Sequence, residues 1–195
     1  MVLAFSVILS FLIALARGGK VSAIKGLRFR GLYLLAVAIL LRILLIVPAL
    51  QPMLVSPVIG ELRLGGLTYI LSLLFALAAL LANIRLPGFK VVTLGMLGNF
   101  LVIAANLGQM PGAPDQLVAA GYPTPPPGNW SNFTVIGPGT PLWFLADNIL
   151  INLPWPHPSV LSIGDFCIAI GVFWFFQRAL VRLGNEASGR YQQSP

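Results

Sequence analysis

The sequence predicts an all-α integral membrane protein with five transmembrane helices, its N-terminus outside and its C-terminus inside. Two observations predict it: the apolar content of the chain and the placement of its basic residues. The 195 residues are 57% hydrophobic and 9% charged, with a mean hydropathy of +0.90. That is about a third of the charge of a soluble domain, too little to cover so much apolar surface. Ten of the twelve Lys and Arg residues fall in three places: Arg17 to Arg30, the pair Arg85 and Lys90, and Arg178 to Arg190. Pairs of long apolar segments separate these clusters, so every second connection is basic, and Lys and Arg in short connections mark the cytoplasmic side.

The first span is predicted at about residues 1–16, an uncharged run ending at Arg17-Gly18-Gly19-Lys20. Its charges follow the apolar stretch instead of preceding it, which argues against a signal peptide. The second span, 32–50, is interrupted by Arg42 and bounded by Pro48 and Pro52. The third, 67–84, is entered through Gly65-Gly66 and closed by a tight turn at Arg85-Leu86-Pro87-Gly88. The fourth is 91–107 and the fifth 162–183, followed by a cytoplasmic tail, 184–195. The whole chain reads as one membrane domain.

The outer segment, 108–161, is too long for a simple connection. Its Pro123 to Pro127 run favours extended backbone, and Gly137-Pro138-Gly139 favours a turn. Thr140 as N-cap, Pro141 at the first helical position and Leu142, Leu145, Ala146 and Ile149 along one face predict a short helix over 141–153. About twelve residues reach only about 18 Å, so this helix is expected in the outer interface or as a re-entrant element. Trp130, Trp143 and Trp155 would then lie near headgroup level.

Five residues form the candidate polar cluster: Arg42, Asn99, Asn106, Asp147 and Asp165. Arg42 lies within a span, where an isolated charge costs roughly 2.5–3.5 kcal/mol and must find a partner or water. Asp165 ends Ser162-Ile163-Gly164-Asp165, a capping-box pattern; the functional alternative is a proton or cation site near the outer boundary, and the two are compatible. Gly95, Asn99 and Asn106 share one face of the fourth span, which suits close helix packing. Asp147 and Asn148 fall on the polar face of the predicted short helix. Tyr122, Trp130, Trp143, Trp155 and His157 are the candidate partner-binding residues of the outer segment. His157 has no second His at metal spacing, Cys167 is a lone cysteine, and no catalytic constellation or metal cluster emerges.

Asn106-Leu107-Gly108-Gln109-Met110-Pro111, Thr140 to Asp147, Pro154-Trp155-Pro156 and Ser162-Ile163-Gly164-Asp165 together resemble the signature of a family of small bacterial polytopic membrane proteins of unknown function. The resemblance implies a bacterial cytoplasmic membrane and supplies no known activity, and the cofactor, if any, is unknown. The net charge of +7 is better matched to anionic lipid headgroups on the cytoplasmic side than to nucleic acid, because the basic residues flank apolar spans. Two functions are compatible with these residues. One is a non-catalytic membrane subunit that docks protein partners through its outer segment. The other is a small transporter or ligand-binding protein whose polar cavity opens to the outer side.

Overall fold

Each long apolar run forms a helix in the computed structural model, which describes residues 2–122, 128–152 and 158–182. Helix α1 (Val2–Ala16) stops at Gly18, whose φ of 83° ends the helical hydrogen bonding. A 3-10 segment, Val21–Gly26, leads to α2 (Leu32–Leu44). The predicted second span is not one straight helix: α2 ends at Leu44, and Pro48–Leu54 leaves at 75° to it. Pro48 supplies no N–H and holds Val47 extended, which terminates the helix. The Gln51 side chain then donates to the Leu45 carbonyl at 2.9 Å, satisfying an acceptor exposed at the break.

After the bend come α3 (Gln51–Leu54) and a small antiparallel hairpin of β1 (Pro57–Ile59) and β2 (Leu62–Arg63). Helix α4 (Leu64–Ala82) is followed by a short turn and α5 (Phe89–Ala105). In the outer segment, β3 (Met110–Gly112) pairs in parallel with β4 (Phe133–Val135) and is bridged on its other side by Asp147. Between β3 and β4 lies α6 (Pro114–Ala119), with Pro114 at its start and Asp115 in its first turn. Strands β5 (Ile149–Ile151) and β6 (Ser159–Leu161) pair antiparallel. Helix α7 (Ile163–Phe176) continues as a π-helical stretch, Gln177–Arg182.

The predicted helix over 141–153 does not form. Leu142 takes the left-handed conformation, φ 54°, and only a 3-10 turn, Trp143–Leu145, follows before the chain enters β5. The Thr140 hydroxyl accepts from the Gly137 N–H at 2.8 Å, closing the turn behind it in place of capping a helix ahead. The Asp147 backbone is committed to β3: its N–H donates to Pro111 O and its carbonyl accepts from Ala113 N–H, each at 2.9 Å. β-branched Ile149 and Ile151 favour the extended conformation that follows.

Antiparallel α5 and α7 form the closest helix pair, because glycines let their backbones approach. A methyl group at Gly95 would overlap the Gly164 carbonyl, and one at Gly88 would overlap that of Gly171. Helix α2 packs on α4, and α4 on α5. Under the outer segment, Leu45, Leu54, Tyr69, Val102, Ile103, Met110, Trp130 and Ala146 make a common core. At the opposite end the basic connections are tied together. Lys20 N–H donates to Leu180 O at 3.0 Å, and the Asn83 side chain exchanges hydrogen bonds of 2.8 and 2.7 Å with the Arg30 backbone.

Two helices among the described residues are long and apolar enough to cross a membrane, Leu64–Ala82 and Ile163–Val181; the bent pair Leu32–Leu44 and Pro48–Leu54 makes a third if it counts as one span. Apolar helices Phe5–Ala16 and Phe89–Ala105 are shorter.

Candidate functional site

Four helices each contribute one stripe to a groove of about 550 Å³. From α2 and the residues just after it come Leu35, Ala38, Ile39, Arg42, Ile43 and Ile46; from α4, Tyr69, Ser72, Leu73 and Ala76. Met96, Asn99 and Ile103 come from α5, and Asp165 and Ile168 from α7. The repeated intervals of three and four are those of single helix faces. The groove exists because α2 leans on α4, leaving a cleft toward the tightly joined α5 and α7.

Three of the five predicted cluster residues, Arg42, Asn99 and Asp165, therefore meet in one cavity, but in different states. Asp165 completes the capping box: its backbone N–H donates to the Ser162 hydroxyl at 3.1 Å, and its carboxylate accepts from Ser162 N–H at 3.1 Å. Asn99 joins the cap to α5, donating to Asp165 Oδ1 at 2.9 Å and accepting from the Ser162 hydroxyl at 2.9 Å. Ser162 and Asp165 are both buried, and the positive end of α7 stabilises the carboxylate. This is a closed polar network, as a low-dielectric setting demands.

Arg42 is open by contrast. It occupies the last turn of α2, so it lies near one end of a short helix and not deep within a straight span; the early stop at Leu44 makes this difference. Its guanidinium carbon lies 4.2 Å from the centroid of the Tyr69 ring, a cation–π contact. Among the described residues it forms no ion pair or hydrogen bond, so the five N–H donors of its guanidinium have no protein acceptor there. A second cavity of about 280 Å³ meets Arg42 from the other side, lined also by Gln51, Trp130 and Asn132. Trp130 in turn borders a third, of about 600 Å³, with Glu61, Arg63 and Gln109 on its walls. Arg42 thus stands where an apolar groove meets a polar approach.

The other predicted residues are elsewhere. Asn106 closes the end of α5, donating to Val102 O at 2.7 Å and Pro141 O at 3.0 Å. Asp147 is partly buried beside β3, not on the wet face of a helix. Its Oδ1 is buried without a hydrogen-bond partner, and burial, reinforced by the charge of Asp165, raises its pKa to about 8. Tyr122 packs edge-on against Phe133 at 5.3 Å; burial and then the charges of Asp147 and Asp165 raise its pKa. Trp130 is 9% exposed, held in the core against Tyr69, so it is not a surface residue. Gly65 makes room for it, since a methyl there would overlap the indole. Trp143 is 60% exposed and sits edge-on to Phe144. Trp155 and His157 lie outside the described residues, as do the Pro123 to Pro127 run and the tail.

Tyr69 and Ser72 complete the site without having been singled out by the sequence. The available signal was their spacing with Leu73 and Ala76, which puts the four on one face of α4.

The profile of a family of unknown function, DUF5317, matches residues 26–177, a stretch that contains every groove residue. The chain belongs to that family. The chain is also similar to an uncharacterised protein of Thermotoga maritima, 30% identical over 169 residues that make up 85% of this chain and 87% of that protein. No solved structure matches it.

Proposed function

We propose that this DUF5317 protein is a non-catalytic, multi-pass protein of the bacterial cytoplasmic membrane that binds a ligand in a cavity open to the outer side. The observation that carries the reading is the unclaimed guanidinium of Arg42 in a cavity shared with Asn99 and Asp165. An arginine at membrane depth is costly unless a counter-charge or water meets it, and a ligand group is one way to supply that charge. In this reading all five apolar helices cross the membrane, N-terminus out and C-terminus in. The gathering of Arg30, Asn83, Lys20 and Leu180 at one end of the bundle supports a common inner side for the basic connections. Helices of 15 and 17 residues reach about 22 and 26 Å, so α1 and α5 would need thinning or flanking side chains to complete their spans.

Native mass spectrometry of the chain gently extracted from its own membranes tests the proposal. A monomer or homo-oligomer carrying one discrete small molecule is the expected result; chains devoid of any bound small molecule would overturn it. A reporter fused after Pro195 should be active on the inner side, and activity only outside would reverse the topology.

A second reading, a subunit that docks a protein partner through its outer segment, is favoured by the exposed pair Trp143 and Phe144, 60% and 53% exposed. Large adjacent aromatics in the open are common anchors of protein interfaces. Replacing both with Ser should release a co-purifying partner while leaving any cavity ligand in place. Retention of the partner would remove this reading's basis.

A further inference from the structure

Resting on the ligand-binding reading, we infer that the ligand is an anionic phospholipid of the outer leaflet, its phosphate on Arg42 and an acyl chain in the groove between α2 and α4. Three features of the site point to this chemistry together. First, Arg42 offers a planar fork of donors with no protein acceptor among the described residues, the arrangement that pairs with a phosphate in two parallel hydrogen bonds. Second, below Arg42 the α2 face is wholly apolar through Ile39, Ala38 and Leu35, and Ala76 faces it from α4. The seven residue steps from Leu35 to Arg42 make this apolar floor about 10 Å long, space suited to hydrocarbon. Third, Arg42 also borders the second cavity, where Gln51 and Asn132 provide polar walls for the remainder of a headgroup.

Asp165 shares the groove, and an anion would be repelled by it. Both of its carboxylate oxygens are already engaged, by Asn99 and by the Ser162 N–H, and the start of α7 holds its charge. It is not among the residues lining the second cavity, so the headgroup would meet Arg42 from the side that Asp165 does not share. The bend after Leu44 makes the arrangement possible: a straight continuation of α2 would remove the turn that carries Gln51 back toward the Leu45 carbonyl.

The experiment uses the full chain in nanodiscs of phosphatidylcholine doped with phosphatidylglycerol or with diacylglycerol of the same chains, followed by native mass spectrometry. One phosphatidylglycerol per chain should be retained, diacylglycerol should not, and glycerol phosphate at the same concentration should not compete. Arg42→Ala should lower retention at least tenfold. Ala76→Phe, which fills the groove and keeps the charge, should do the same, whereas Arg85→Ala at the far end should not. Because Ala76→Phe exchanges one apolar residue for another, it keeps the test meaningful even if Arg42→Ala fails to fold. Unchanged phosphatidylglycerol retention in Ala76→Phe, or equal retention of diacylglycerol, overturns the phospholipid assignment. If another small molecule from the native membrane still binds in an Arg42-dependent way, only the phospholipid assignment falls. If neither substitution alters any bound small molecule, the ligand-binding reading falls with it.

Discussion

The α5–α7 seam and the α2–α4 groove border the same cavity, yet they treat their polar atoms in opposite ways. Along the seam, Ser162, Asp165 and Asn99 consume one another's donors and acceptors, and glycines remove the space between the backbones. Along the groove, α2 packs on α4 but leaves a cleft toward α5 and α7, and Arg42 has a ring face in place of an acceptor. In a low-dielectric surrounding a closed network holds a fold together, and open donors call for something from outside. The contrast fits the proposed reading, in which the first region serves structure and the second binding.

The largest effect should come from forcing the seam apart. Gly164→Leu puts a side chain where a Cβ alone would overlap Asn99 Oδ1 and the Gly95 carbonyl. The expected cost is about 3 kcal/mol, the upper end for overpacking. A thermal midpoint equal to wild type in the same detergent would show that the two helices can separate freely, and the contrast would lose its rigid half.

Removing the network should cost less and should reveal coupling. Asn99→Ala and Asp165→Ala are each expected to destabilise by about 2 kcal/mol, within the range for leaving a buried polar partner unsatisfied. The double variant should lose less than the sum, with an interaction energy of about 1 kcal/mol, because the two side chains share a hydrogen bond. Strict additivity would mean that Asn99 and Asp165 act separately and that the seam is held by backbone packing alone.

Much of the seam was legible in the sequence, and little of the groove was. Ser162-Ile163-Gly164-Asp165 announces its own cap, since a serine three residues before an acid has one local way to satisfy both backbone N–H groups. Gly95 and Asn99 on one face already indicated close packing. That Asn99 would close onto Asp165, 66 residues away, depends on the α5–α7 approach, which no local pattern encodes. Arg42 stood out as a charge within an apolar run, but the groove beside it depends on Pro48 breaking that run and on α2 stopping at Leu44. The outer segment misled most: Thr140-Pro141 imitates a helix start, while the left-handed Leu142 and the pairing of Asp147 with β3 are tertiary decisions. Burial of Trp130 likewise depends on the bare backbone of Gly65 on another element.

A pH-dependent effect is expected at Asp147, which offers a third treatment of a polar group: partly buried, with one oxygen that has no hydrogen-bond partner among the described residues, and neutralised by a proton. Its pKa of about 8, set mainly by burial and secondarily by the charge of Asp165, is above the ordinary 3.8 of the unfolded chain. Between those values the folded chain keeps a proton that the unfolded chain has lost. Stability from this group is therefore fullest below 3.8, declines as pH rises toward about 8, and levels off once the folded carboxyl has ionised. Tyr122, raised by burial and by both acids, stays protonated over that window and does not add to the slope. Tryptophan fluorescence, to which the buried Trp130 contributes, should report a lower unfolding midpoint at pH 9 than at pH 6. Asp147→Asn keeps the shape without the titration and should flatten that dependence. If the slope persists undiminished in the amide variant, the proton resides elsewhere, and Asp147 must have found a donor or water of the kind that Asn99 supplies to Asp165 at the seam.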